Sequence, residues 1–196
     1  MKKSWIIIGI VVIAVFIIYR MFAGSYNSMV NMEEGVTSQW AQVENVYQRR
    51  ADLIPNLVNT VKGYAEHEQE TLTKVIEARA KATSITVDPT NLTPQKVAEF
   101  QAAQGELSTA LGRLLVSVEQ YPDLKANQNF LELQTQLEGT ENRITVERQK
   151  FNDQVQTYNS YIRNFPQVML AGMYGFEQKG YFHATEGASH VPEVKF

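Results

Sequence analysis

The sequence predicts an all-α protein. An N-terminal transmembrane helix leads into an elongated antiparallel bundle of three long helices, with a short helix at the C-terminal end. Three observations carry this expectation. The chain opens on an apolar block; apolar residues then recur at steps of three and four through three long stretches; and Pro- and turn-rich segments separate those stretches.

Composition sets the bounds. The chain has 196 residues, 44% hydrophobic and 20% charged, enough for one domain with a real core. A net charge of −3 gives no basic footprint for nucleic acid. Cysteine is absent, which excludes disulfides, thiolate metal sites and lipidation on Cys.

The apolar block follows Lys2 and Lys3. It includes Trp5, Ile6, Ile10, Val15, Ile18 and Tyr19, and is followed by Arg20. Counted from Trp5 to Ala23, with Arg20 reaching back towards head groups, it makes about 19 residues or about 28 Å, close to the ~30 Å hydrocarbon core of a bilayer. Trp5 and Tyr19 stand where interface aromatics belong. The rival reading is a cleaved signal peptide. The run is long for that, and Met21 occupies a position where cleavage after Ala23 would want a small residue. The two lysines and the α-amino group outweigh Arg20, so the positive-inside rule places the N-terminus in the cytoplasm and the remainder outside it. The organisation read from the sequence is an anchor over 1–24, a bundle over 25–182 with a loop at 83–93, and a flexible tail over 183–196.

Behind the anchor, Val36, Trp40, Val43, Tyr47, Ala51, Ile54, Val58, Val61, Ala65, Glu68, Leu72 and Val75 follow one another at steps of three and four. The phase holds across Pro55, which predicts one helix bent at Pro55 and running from about Asn27 to Ala82, about 80 Å long. Gly24 and Gly35 are its weak points, each costing about 1 kcal/mol against Ala. Thr93-Pro94 reads as a cap and first position of the second helix, striped by Val97, Phe100, Gln104, Leu107, Leu111, Leu114 and Val118. Pro122 closes it. The third helix carries Phe130, Leu133, Leu137, Thr140, Ile144, Glu147, Phe151, Val155, Tyr158 and Ile162. Thr140 and Glu147 interrupt the apolar run, by looser packing or by a polar layer. Pro166 ends this helix, and the apolar run over 168–176 is too short to span a membrane. Pairing the first helix with the third leaves the second to return between them, and leaves the membrane-proximal rod short of partners. Val36, Trp40 and Val43 are therefore candidates for contacts between copies, unless the chain's own helices cover them.

The residues show no reaction. Glu66-His67-Glu68-Gln69-Glu70 begins like a zinc-protease helix, but Thr71 stands where the second His would be. Phosphate-cradling glycine loops, a nucleophile elbow and a calcium loop are all missing. Neither a cofactor nor a small-molecule substrate is indicated.

Several segments resemble the LemA family of bacterial membrane-anchored helical proteins. They are Arg49-Arg50-Ala51-Asp52-Leu53-Ile54-Pro55-Asn56, Val61 to Tyr64, Tyr121-Pro122-Asp123 through Asn127 and Asn129 to Phe130, Leu137 through Glu141-Asn142-Arg143 to Ile144, Tyr158-Asn159, and Phe165-Pro166. The resemblance covers nearly the whole chain. It implies a long helical bundle at the bacterial inner membrane and supplies no catalytic residues; some descriptions of the family imply the opposite topology.

Read physically, Arg49, Arg50, Asp52, Asn56, Asn127, Asn129, Glu141, Asn142, Arg143 and Asn159 are polar groups at or beside packing faces. Either they set helix register as caps and buried layers, or they form a docking surface. Asn127 reads as a cap, and Arg143 with Glu141 and Glu147 as a charged layer. The function these features favour is a non-enzymatic, membrane-anchored scaffold, a homo-oligomer or an organiser of partner proteins. A monomeric adaptor for a membrane protease or envelope factor comes second, and a metal binder or enzyme centred on Glu66–Glu70 third.

Overall fold

A computed structural model describes residues 2–65 and 67–184. Among these, the helices are α1 (Lys2–Lys62), α2 (Gln69–Ser84), α3 (Pro94–Val118), α4 (Pro122–Lys125), α5 (Gln128–Arg163) and α6 (Gln167–Tyr174). A non-helical strap over residues 176–184 follows α6.

The apolar block and the first bundle helix are one element. α1 passes Gly24 and Gly35 without a break. Its first part is long and apolar enough to cross a membrane, and none of that window is buried by the rest of the chain. From Met29 onwards, Val36, Trp40, Val43, Tyr47, Ala51, Ile54, Val58 and Val61 turn into the core.

The single helix expected from Asn27 to Ala82 is corrected: it is two helices, and the first is continuous with the apolar block. α1 ends at Lys62, and the chain reverses direction before α2 begins at Gln69. The backbone N–H groups of Tyr64 and Ala65 both donate to the carbonyl of Val61, closing the last turn. Both arms of this hairpin bury a face in the same core, so Val61, Ala65, Leu72 and Val75 keep the helical spacing across the reversal.

Pro55 sits inside α1 on an exposed position. Its missing N–H leaves the carbonyl of Ala51, four residues back, without its usual partner. Arg79 of α2 fills that place, its Nε donating to the Ala51 oxygen at 2.7 Å.

The bundle therefore has four long arms. α5 runs antiparallel along α1: Tyr64 meets Asn127 at one end, Arg50 meets Glu141 midway, and Gln39 meets Glu147 further down. α2 returns along α1 and pairs most closely with α3. α3 does not lie between the other long helices as the lengths suggested; its Phe100 and Gln104 reach α1 across the centre. Thr93 caps α3 with its hydroxyl oxygen accepting from Lys96 N, and Asn127 caps α5 by accepting from Phe130 N.

The core falls into two apolar clusters. One lies towards the anchor and is built on Met29, Trp40, Val97, Phe100, Phe151, Tyr158 and Phe182. The other fills the far end with Ile54, Leu57, Leu107, Leu114, Phe130 and Leu137. Trp40 is wholly buried among Phe100, Phe151 and Phe182, with ring centroids 5.2 to 5.8 Å away. Such aromatic contacts each add about 0.5–1.5 kcal/mol beyond area burial. Val36, Trp40 and Val43 are thus core residues rather than surface, because α5 and the strap cover the lower rod.

Candidate functional site

Polar residues converge where the two apolar clusters meet. Arg50 is 2% exposed on the inner face of α1. Its Nη1 donates to Ser108 Oγ at 2.7 Å and to Glu141 Oε2 at 3.0 Å; its Nη2 donates to Gln104 Oε1 at 2.6 Å and to the Gln104 carbonyl at 3.2 Å. Gln104 in turn donates to the carbonyl of Ala82. Thr140, also buried, closes the layer on α5 and bonds back to the Gln136 carbonyl. One guanidinium thus ties α1 to α3 and α5, and Gln104 carries the connection to α2. The interruption at Thr140 is a polar layer crossing the core.

The cation at its centre is Arg50 rather than Arg143, which is exposed. Glu141 pairs with Arg50, and Glu147 accepts from Gln39 and Lys150. Those two donors, Lys150 first, hold the Glu147 carboxyl below the usual carboxylate range. Burial pushes the Tyr47 phenol up, against the opposing charges of Arg148 and Arg50. Glu141 is about half exposed, so its attraction to Arg50 is screened. The fully buried Gln104 contacts carry more of the geometry.

A second set of polar contacts binds the strap. Asn159, buried on α5, donates to the Lys179 carbonyl and accepts from the Lys179 N–H, both at 2.9 Å. Asn152 repeats the pattern with Phe182, and Gln101 of α3 repeats it with His183. The three residue steps from Lys179 to Phe182 cover what the seven helical steps from Asn152 to Asn159 span on α5, about 10 Å, so the strap is extended. Lys179 is itself buried; its ammonium pairs with Glu33 at 2.6 Å and donates to the Thr90 carbonyl. His183, where the flexible tail was expected to begin, is held by Gln101 and Arg148. The part of that expectation over 185–196 lies outside the described residues.

The remaining candidates scatter. Asp52 accepts from Gln48, and Arg49 and Asn142 face solvent. Asn127, besides capping α5, donates to the Tyr64 hydroxyl. Asn56 and Asn129 do come together, lining an open recess of about 410 Å³ with Asn59, Thr60 and Gln136. Glu68 accepts from Tyr121 and Thr71, and Glu70 pairs with Lys74. Among the described residues no three His or carboxylate side chains cluster as metal ligands; Glu66 lies outside them. In the anchor, Trp5, Ile6, Ile10, Val15, Ile18 and Tyr19 are each more than half exposed, and Arg20 is exposed with them.

Sequence reasoning missed Gln104 and Lys179. Gln104 had a signal: it is a polar residue in phase with the apolar stripe of α3, seven residues from Val97 and from Leu111.

Together these features define an all-helical protein with one membrane-length apolar helix and a bundle crossed by a buried polar layer. The chain belongs to the LemA family, whose model it matches over residues 39–196. It is 25% identical to the protein LemA of Metamycoplasma hominis, over 94% of this chain and 80% of that one. It is 28% identical to the magnetosome protein MamQ of Magnetospirillum gryphiswaldense and 30% identical to MamQ 2 of Paramagnetospirillum magneticum. The match takes in 81% and 80% of this chain, respectively, but only 64% of each of those longer proteins.

Proposed function

We propose that this chain is a single-pass, membrane-anchored helical scaffold of the bacterial inner membrane that acts by holding and organising proteins, itself included, rather than by catalysis. The observation that carries this reading is the continuity of α1. The same helix supplies the exposed apolar span and the buried spine of the bundle, so the bundle is fixed to its anchor without a linker. The lysines before the span favour a cytoplasmic N-terminus and a bundle outside the cytoplasm. Arg50, the most buried cation among the described residues, is committed to structural partners and not to an open cleft. With Val36, Trp40 and Val43 in the core, contacts between copies fall to the anchor and the outer faces.

The test is the particle mass of the full-length chain in mild detergent, beside a chain beginning at Ser25. A scaffold gives a discrete assembly well above the 22.2 kDa of one chain, and it falls apart without the anchor. A single-chain mass for both, with no bound protein, overturns the reading.

A second reading, a monomeric adaptor, draws on the amide-rich recess of Asn56 and Asn129. Asn56→Lys with Asn129→Lys then removes a bound partner while the chain itself stays a folded monomer.

A further inference from the structure

We infer that α6 is a second membrane contact: its outward face lies in the boundary between head groups and acyl chains and seats the anchor end of the bundle on the bilayer. This rests on the reading of α1 as a membrane anchor.

α6 is apolar on both sides. Leu170 and Ala171 turn inward and are buried against the lower core. Phe165, Val168, Met169 and Met173 turn outward, 80%, 46%, 67% and 63% exposed. Helical spacing puts Val168, Met169 and Met173 on one side of α6, and Phe165 stands exposed just before the helix begins. A soluble helix end would carry charge there, yet no charged residue occurs between Arg163 and Glu177. Contiguous apolar surface of this kind marks a binding face.

Position decides what covers it. Tyr174 and Phe176 pack edge-on against Tyr26 of α1, with centroids 5.0 and 5.7 Å away. Tyr26 is three residues beyond Ala23, where the apolar span ends, or about 4.5 Å along the helix axis. The C-terminal end of α6 therefore sits beside α1 just past the end of the apolar span, at the level where the anchor leaves the bilayer. Eight residues are too few to cross a bilayer but enough to lie in its interface, where Tyr and Phe side chains are at home. A second copy or another protein would need no such alignment with the anchor.

The absence of cysteine allows a direct test in the full chain. Single cysteines at Val15, Met169 and Val116 carry a polarity-sensitive fluorophore, and the protein is reconstituted in phosphatidylethanolamine–phosphatidylglycerol vesicles with nitroxide-bearing lipid. Met173→Cys repeats the α6 position should Met169→Cys disturb the fold. The proposal predicts that nitroxide lipid at least halves emission at Val15 and Met169 and spares Val116 at the far end of α3. Quenching at Val15 with Met169 no dimmer than Val116 overturns the α6 contact and leaves the anchor standing. A blue-shifted but unquenched label at Met169 overturns it too, in favour of protein cover. An unquenched Val15 removes the anchor itself, and the α6 contact with it.

Discussion

Arg79 Nε donates at 2.7 Å to the carbonyl of Ala51, the acceptor that Pro55 cannot serve. The proline would otherwise leave a partly buried oxygen without a partner in mid-helix. The arginine makes that oxygen the fastening point for α2. Arg79→Ala is expected to cost about 1–2 kcal/mol, the value of a charge-assisted bond to a partly buried acceptor. In a Pro55→Ala background, where the helix N–H is restored, the same substitution should cost less. A double-mutant cycle by urea unfolding measures the difference; equal costs in both backgrounds would show that the two residues are not coupled.

The polar layer makes a different prediction. Arg50 spreads two terminal nitrogens over Ser108, Glu141 and Gln104, a geometry that an ammonium cannot copy. Arg50→Lys should lose about 2–3 kcal/mol, whereas Glu141→Gln, at a half-exposed position, should lose under about 1 kcal/mol. Thermal unfolding of the two variants gives the order, and a larger loss for Glu141→Gln would contradict the weight placed on Gln104.

The strap depends on one close approach. A Cβ on Gly180 would stand 2.6 Å from the Cα of Pro94, while the Gly180 N–H donates to the Leu92 carbonyl at 2.8 Å. Gly180→Ala should therefore lift the strap locally at a cost of about 1–3 kcal/mol. Hydrogen exchange at Lys179, Gly180 and Phe182 reports it, with α1 and α5 still protected. Unchanged protection at these amides would show that the strap has room to shift.

Glu147 supplies a pH dependence. Its carboxyl is held low in the folded chain by Lys150 and then Gln39, so the folded state takes up its proton less readily than the unfolded chain does. The stability it contributes is present above the ordinary carboxylate range and is lost as pH falls through the depressed value. Urea midpoints between about pH 7 and about pH 3 should fall less steeply in Glu147→Gln than in the natural chain. Identical slopes would show that the carboxylate is not so held.

How much of this was legible follows from what periodicity encodes. Steps of three and four identify a buried face, so α3, α5 and the lower part of α1 could be read from Val97, Phe151 and Val36 onwards. The steps do not encode direction. Val61, Ala65 and Leu72 continue the stripe whether the helix runs on or doubles back, and Pro55 drew attention away from the true reversal at Gly63. Caps are local chemistry, which is why Thr93 and Asn127 were readable. The partners of Arg50 lie on α3 and α5, and only packing brings Gln104 and Glu141 to it. The same holds for Asn159, whose partner is the backbone of Lys179.

The central claim is that one unbroken helix carries the bundle from the bilayer. Nitroxide labels on cysteines at Ile13 and Ser38, both exposed on α1, bracket Gly24 and Gly35. A continuous helix places the two backbones about 38 Å apart at 1.5 Å per residue. Pulsed electron-spin measurement in vesicles should give a single narrow distance near that value, allowing for the label arms. A broad or distinctly shorter distribution would mean a hinge between anchor and bundle, and would contradict the account.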